Sequence, residues 1–253
     1  MPGTRRYFSG SKYEGEFKSN QRHGQGTKTW KDGSAYEGSW VDDKREGHGV
    51  MRTADGTYTG EWRNNMREGR GTIEFSNGSK YEGEFLGNEP HGEGKWNYAG
   101  SGNVFEGQYA RGVAEGFGKL FLANGDRFEG EWAAGKKTGK GTIFWASGRV
   151  FSGTFREDCP VDGEVTEGSG ERFALTFAGE TTFGGGAEPI SKVPLSDTAP
   201  SDAAGAAQRK APSGSAAGVA SSGTAVRSTG GGGGGGTDWS TLMAVAESKG
   251  LGR

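Results

Sequence analysis

The sequence predicts an all-β fold: an elongated single-layer antiparallel β-meander of about seven to eight hairpin repeats of 23 residues, with a disordered C-terminal tail. Three observations carry this prediction. An aromatic-x-Gly-x-aromatic motif recurs along the chain, and Asn, Asp and Gly recur at turn positions between the motifs. The composition is also unusual, with 51 glycines, 7 Trp, 7 Tyr and 14 Phe among 253 residues. Because aliphatic residues are scarce, this composition argues against a thick aliphatic core, a doubly wound α/β enzyme and a helical bundle.

Two aromatic residues four positions apart, with a glycine midway, define each repeat. Positions are counted from the first aromatic residue, which is position 0. Seven repeats begin at Tyr13, Tyr36, Tyr58, Tyr81, Phe105, Phe128 and Phe151, and a degraded eighth begins at Phe173, with Leu175 in place of the central glycine. Alternation of aromatic and polar residues over positions 0 to 4 is typical of a β-strand with one apolar face.

The second half of each repeat is predicted to form a return strand. Position 7 is Asn, Asp or Gly in all seven repeats, as a hairpin turn requires, because positive φ strains most other residues. Glycines recur at positions 11 and 13 in six repeats, whereas the seventh has Asp162 and Glu164 there. Apolar residues are favoured at positions 15 and 17, and an Asp-Gly or Asn-Gly turn often follows. The glycines at positions 2 and 13 would let the aromatic rings lie flat over backbone and stack on the next repeat.

Residues 7–180 resemble the MORN repeat (membrane occupation and recognition nexus). The resemblance rests on the YEGEF motifs that begin at Tyr13 and Tyr81, on the HGQG and HGEG that follow them, and on the Asp-Gly turns. It implies an elongated, twisted, single-layer β-meander. It also implies a family whose members are mostly scaffolds, found in cytoskeletal and ciliary structures, at membrane junctions or fused to enzymes.

Three segments are expected: the repeat region 7–183, a disordered Gly/Ala/Ser-rich linker 184–237, and a possible short amphipathic helix 238–250. The linker lacks enough apolar residues to offset the entropy of ordering. In the last segment Asp238 is a suitable N-cap, and Trp239, Leu242 and Met243 share one helix face. One interpretation is a tethered peptide that docks onto a partner. The other is a tail without a docking role.

The candidate protein-binding surface is the aromatic face, because a single layer has no second layer to cover it. Part of the ladder is therefore expected to stay open as a groove that takes a segment of another protein. The residues expected to line it are Trp40, Tyr58, Trp62, Tyr81, Phe85 and Trp96. The alternative is that these rings fill one another and form the core.

The sequence predicts neither catalysis, nor a metal site, nor a cofactor. Glutamate pairs such as Glu82 and Glu84 recur in several repeats, which is typical of a solvated face, whereas a catalytic pair needs two distinct environments. His23, His48 and His91 lie in separate repeats, and zinc needs three or four converging ligands. A formal net charge of −2 gives no support for nucleic-acid binding.

The expected function is that of a non-catalytic scaffold or adaptor that binds partner proteins along the sheet. The resemblance implies a cytoplasmic protein of a ciliary or flagellar axoneme or another cytoskeletal assembly, and no apolar leader occurs in residues 1–11. Two alternatives remain open. One is a peripheral membrane or phosphoinositide-binding tether, suggested by basic residues near the turns, and the other is a regulatory subunit of an enzyme.

Overall fold

The computed structural model describes residues 2–177, 189 and 191–195. These residues form one antiparallel sheet of seventeen strands and no helix. The strands are β1 (Pro2–Arg6), β2 (Lys12–Lys18), β3 (Gln21–Thr29), β4 (Ala35–Val41), β5 (Lys44–Thr53), β6 (Gly56–Arg63), β7 (Met66–Phe75), β8 (Lys80–Leu86), β9 (Glu89–Asn97), β10 (Val104–Ala110), β11 (Val113–Phe121), β12 (Arg127–Ala133), β13 (Lys136–Phe144), β14 (Val150–Arg156), β15 (Cys159–Thr166), β16 (Arg172–Thr176) and β17 (Ser191–Pro194). Every strand pairs with the next one along the chain. The predicted all-β meander is therefore confirmed.

The turn within each of the seven repeats has two residues with positive φ. Position 6 has φ between 46° and 60°, and position 7 has φ between 66° and 78°. Two consecutive residues of this kind make the two-residue hairpin turn whose twist matches that of the flanking strands. The sequence predicted position 7 but not position 6, where Arg111 and Ala134 adopt the left-handed conformation.

An irregularity in the return strand explains the glycine at position 11. In the fourth repeat Gly83 pairs with Gly94 and Glu84 pairs with His91, so two residues of β9 bulge out of the ladder. One of them, Gly92, has φ +59°. The seventh repeat lacks such a glycine because its bulge is one residue shorter, with Thr154 paired to Asp162 and Phe155 to Pro160.

The aromatic residues form one continuous buried ladder. Each first aromatic ring contacts the second ring of its own repeat and that of the next repeat, as Tyr36 does with Trp40 and Trp62. These contacts have centroid distances of 5.0–6.0 Å and interplanar angles of 80–89°. The rings of the ladder thus meet edge to face, which their quadrupoles favour. Stacked rings occur beside the ladder, where Trp96 lies against Phe75 and Tyr98 with interplanar angles of 27° and 24°.

Glycine pairs make room for these rings. Gly83 and Gly94 face each other in register, and the Tyr81 ring covers both. A Cβ at Gly83 would lie 2.5 Å from the Tyr81 hydroxyl oxygen and 2.6 Å from the Cα of Gly94. A side chain at Gly83 would therefore force the ring or the paired strand to shift, so the expectation that rings lie over glycine backbone holds here.

Both ends of the ladder are covered by strands that the repeat pattern did not predict. β1 pairs with β2, and the Arg5 guanidinium lies 4.6 Å from the centroid of Phe17. β17 pairs with β16, and the Lys192 ammonium lies 4.1 Å from the centroid of Phe173. Strand β1 precedes residue 7 and β17 lies within residues 184–237, so the paired sheet extends beyond the expected repeat region 7–183 at both ends. Terminal strands of this kind cover the last apolar surface of a repeat array.

None of the described residues forms a helix that is long and apolar enough to cross a bilayer. The expected helix 238–250 lies outside the described residues.

Candidate functional site

The six rings expected to line an open groove are buried. Their relative exposures are Trp40 2%, Tyr58 0%, Trp62 3%, Tyr81 0%, Phe85 3% and Trp96 1%. The expectation of an open aromatic groove is therefore wrong, because rings from consecutive repeats cover one another above the glycine pairs. That a partner binds through these residues stays a prediction. Trp239, Leu242 and Met243 lie outside the described residues.

The opposite face of the sheet carries the polar side chains. Because neighbouring residues of a strand point to opposite faces, positions 1, 3, 12 and 14 project away from the ring face. Positions 1 and 14 stand next to each other from strand to strand, and in the middle of the sheet they alternate in charge. This row contains Glu82, Lys95, Glu106, Lys119 and Glu129.

A groove of about 1080 Å³ crosses this polar face between β5 and β11. Backbone at the glycine pairs Gly60/Gly71 and Gly83/Gly94 forms part of its lining. Position 12 contributes one side chain from each of four consecutive repeats: His48, Arg70, Glu93 and Phe117. We call these four residues the position-12 row.

The position-12 row differs from the charged row beside it because its charges are not paired. In the charged row, Lys95 Nζ lies 2.8 Å from Glu106, and Lys119 Nζ lies 3.7 Å from Glu129. Among the described residues, neither Arg70 nor Glu93 forms an ion pair. The position-12 row thus offers one unpaired cationic and one unpaired anionic group, on β7 and β9, to a binding partner.

Phe117 is the apolar member of the row and is 52% exposed. In five of the first six repeats position 12 is polar, occupied by Gln25, His48, Arg70, Glu93 and Lys140. Aromatic residues are enriched in protein interfaces, so Phe117 gives the groove an apolar contact for a partner. The sequence analysis missed this site because it rested on the aromatic motif. The signal in the sequence was Phe117, an apolar residue at a position that is polar in the other five of the first six repeats.

The basic residues near the turns are engaged within the sheet. Arg22 and Arg45 lie over the rings of Trp40 and Trp62, 4.3 Å and 4.1 Å from their centroids. Arg67 is 1% exposed, and burial lowers the pKa of its guanidinium to about 10. Side chains held in this way are not presented to an anionic membrane surface.

The described residues contain no group of three or more His, Cys, Asp or Glu side chains that could hold a metal ion. The Nδ1 atom of His23 lies 3.5 Å from Asp42, while His48 and His91 belong to other repeats. The carboxylates of the polar face lie in rows on one open surface. This arrangement does not provide the two contrasting environments that an acid and a base need.

A family model for the MORN repeat matches residues 13–35, 36–57, 58–80, 81–102, 105–127 and 128–148, which is more than half of the chain. The chain belongs to the MORN-repeat family. Membership in this family indicates a repeat-based binding scaffold, and MORN repeats are in general non-catalytic. The strands β14 to β16 continue the MORN meander beyond the matched residues.

Solved structures with a similar chain path include the G-box domain of the microcephaly protein CPAP, with 11% identity, a TM-score of 0.45, and coverage of 70% of this chain and 93% of that one. The TCP10 domain of Danio rerio CPAP in complex with a STIL peptide matches with 11% identity, a TM-score of 0.41, and coverage of 70% and 84%. The SAS-4 TCP domain of Drosophila melanogaster in complex with a proline-rich motif of Ana2 matches with 12% identity and a TM-score of 0.39. The match covers 60% of this chain and 83% of that one. At TM-scores below 0.5 no conclusion about this MORN protein follows from these likenesses. None of the curated proteins compared with the chain matches it.

Proposed function

We propose that this MORN-repeat protein is a non-catalytic scaffold that binds partner proteins in the groove of its polar face. The observation that carries the proposal is the position-12 row. It places unpaired charges and a half-exposed phenylalanine together in one groove. The order of the strands in the sheet fixes the order of these side chains along the groove. Exposed aromatic residues with charged neighbours are common anchors in protein interfaces.

The proposed location is cytoplasmic, in a ciliary or flagellar axoneme or another cytoskeletal assembly. This part rests on the family resemblance. The membrane alternative finds less support, because Arg22, Arg45 and Arg67 contact aromatic rings of the sheet. The regulatory-subunit alternative has no observation of its own and would be one case of partner binding.

The test is affinity capture from the native cells with the tagged full chain, followed by mass spectrometry and by imaging of the same tag. The groove variant combines Glu93→Lys with Phe117→Ser. Its matched control is Glu131→Lys, at an exposed site of the same face outside the groove. We expect the groove variant to lose partners that the wild type and the control retain, with unchanged circular dichroism.

Three results would contradict this proposal. Partners retained by the folded groove variant would place binding elsewhere on the chain. Sedimentation of the wild type with vesicles that contain phosphatidylserine and phosphoinositides, but not with phosphatidylcholine vesicles, would favour the membrane tether. A diffuse signal throughout the cell would contradict the cytoskeletal location.

A further inference from the structure

The spacing of the position-12 row identifies the conformation of a ligand that would match it. His48, Arg70, Glu93 and Phe117 stand on β5, β7, β9 and β11, so consecutive members are two strands apart. Since neighbouring strands lie about 4.8 Å apart, the row repeats every ~9.6 Å across the sheet. A ligand that contacts each member must present one side chain to the groove at this interval.

A polyproline II helix meets this condition more closely than the other regular conformations. It has three residues per turn and a rise of about 3.1 Å, so one face repeats every ~9.3 Å. An α-helix returns the same face after two turns, about 10.8 Å, and drifts by more than 1 Å at each step. An extended strand covers about 10 Å in three residues, but its third residue then points to the opposite side.

The chemistry of the row gives the ligand an order of side chains. Arg70 on β7 calls for an acidic side chain, Glu93 on β9 for a basic one, and exposed Phe117 on β11 for an apolar one. Glu84, which also lines the groove, adds a second negative charge on β8, between Arg70 and Glu93. Because Arg70 and Glu93 carry opposite charges, only one order of charges on the ligand is attractive at both positions.

We infer that the groove takes a proline-rich segment of a partner protein in the polyproline II conformation, with acidic, basic and apolar side chains at every third residue. The inference rests on the proposed function and names the partner class of that same groove. The preformed polyproline helix loses little conformational entropy on binding, which suits a shallow and open site.

The probes are fluorescein-labelled peptides used with the full chain. One contains Asp-Pro-Pro-Lys-Pro-Pro-Trp, flanked by prolines, and a second has the same residues in the reverse chain direction. For each, a twin exchanges Asp and Lys and keeps the composition. Fluorescence anisotropy should show that one of the two directions binds about tenfold more tightly than its twin, since the twin replaces two attractive charge contacts by repulsive ones.

The decisive variant is the charge exchange Arg70→Glu with Glu93→Arg. It should reverse the preference, so that the twin peptide becomes the tighter ligand, while Phe117→Ser should weaken both peptides. Glu131→Arg is the matched control and should leave the preference unchanged. Circular dichroism confirms that each variant is folded.

Other outcomes overturn the inference and leave the proposed function distinguishable from it. Equal binding of both twins, abolished by Phe117→Ser, would retain the groove as a binding site but reject this ligand order. Binding that no groove variant alters would place the peptide elsewhere. Absence of binding by all four peptides, while native partners still depend on Glu93 and Phe117, would reject the polyproline ligand alone.

Discussion

The junctions between consecutive repeats are built in two ways, and the first three differ from the fourth. A junction is the place where position 9 of one repeat meets the turn of the next. At the first junction the Arg22 backbone N–H donates to Asp43 Oδ1 at 2.9 Å, and its guanidinium donates to the Asp43 carbonyl at 2.8 Å. Arg45 with Asn65, and Arg67 with Asn88, repeat this arrangement.

The fourth junction has neither the donor nor the acceptor. Pro90 occupies position 9 and has no N–H, and Gly112 occupies position 7 of the next repeat and has no side-chain oxygen. Only the Gly112 N–H donates to the Pro90 carbonyl, at 2.9 Å. Pro90 and Gly112, 22 residues apart, thus leave this junction without a side-chain hydrogen bond and without an N–H at position 9 that needs an acceptor. The fifth junction, between Ala114 and Gly135, also keeps only the backbone bond, at 2.9 Å. In a repeat array, whose stability depends on contacts between neighbours, the fourth and fifth junctions are therefore the places to expect local opening.

The largest expected effect concerns the aromatic ring at position 4, which is Trp62 in the third repeat and Tyr109 in the repeat that follows the fourth junction. Trp62→Ala removes a ring that donates from Nε1 to the Gly49 carbonyl at 3.2 Å and lies under the Arg45 guanidinium. We expect it to lower the free energy of unfolding by about 3–5 kcal/mol. Tyr109→Ala, beside the fourth junction, removes a smaller ring without such bonds and should cost about 1 kcal/mol less. Urea denaturation of the full chain measures both, and equal losses would contradict the comparison.

The second prediction compares the contributions to stability of two residues at position 9, Arg67 at the third junction and Pro90 at the fourth. Arg67→Ala removes a buried guanidinium that lies 5.5 Å from the Phe85 centroid and donates to the Asn88 carbonyl, so we expect a loss of about 2–3 kcal/mol. Pro90→Ala adds a backbone N–H that Gly112 has no side-chain oxygen to accept, and it gives the unfolded chain more freedom, so it should cost about 1–2 kcal/mol.

Arg67→Met separates packing from hydrogen bonding. Methionine fills the space without burying a charge, so it should recover much of the loss. If Arg67→Met is as unstable as Arg67→Ala, the hydrogen bonds to Asn88 carry the stability, and if Pro90→Ala matches Arg67→Ala, the two kinds of junction are equivalent.

Periodicity was sufficient to predict the strands, their order and the glycine-supported ring face, because each repeat carries its own alternation and turn residues. The covering strand β17 could not be predicted in this way. Ser191–Pro194 has no repeat pattern, and its strand conformation depends on pairing with the preceding strand, β16. The burial of Trp62 stayed an alternative for a related reason, because its cover comes from Tyr36 of the preceding repeat. The groove could not be predicted without knowing which face of the sheet position 12 occupies.

The third prediction tests whether positions 7 and 9 are coupled. Asn88→Gly keeps the positive φ of 78° without strain but removes the oxygen that accepts the Arg67 N–H at 2.9 Å. We expect a loss of about 1 kcal/mol. Gly112→Asn adds an equivalent oxygen opposite Pro90, which has no N–H to donate, and should give no gain. Thermal unfolding of both variants gives the comparison, and a clear stabilisation by Gly112→Asn would contradict the coupling of positions 7 and 9.

The smallest expected effect on stability is that of removing a tyrosine hydroxyl, and its sign differs between Tyr58 and Tyr109. The Tyr58 hydroxyl donates to the Glu61 carbonyl at 2.9 Å, so Tyr58→Phe should cost about 1 kcal/mol. The Tyr109 hydroxyl is buried, has no hydrogen-bond partner among the described residues, and burial raises its pKa well above the usual value. Removing an unpaired buried hydroxyl leaves the ring packing intact, so Tyr109→Phe should be neutral or should stabilise the fold by up to about 1 kcal/mol. Both substitutions delete one oxygen from a buried ring, and chemical denaturation of the two variants side by side compares them directly. Equal destabilisation would mean that the Tyr109 hydroxyl is bonded in solution, and the region around the fourth junction would then be as well satisfied as the repeats before it.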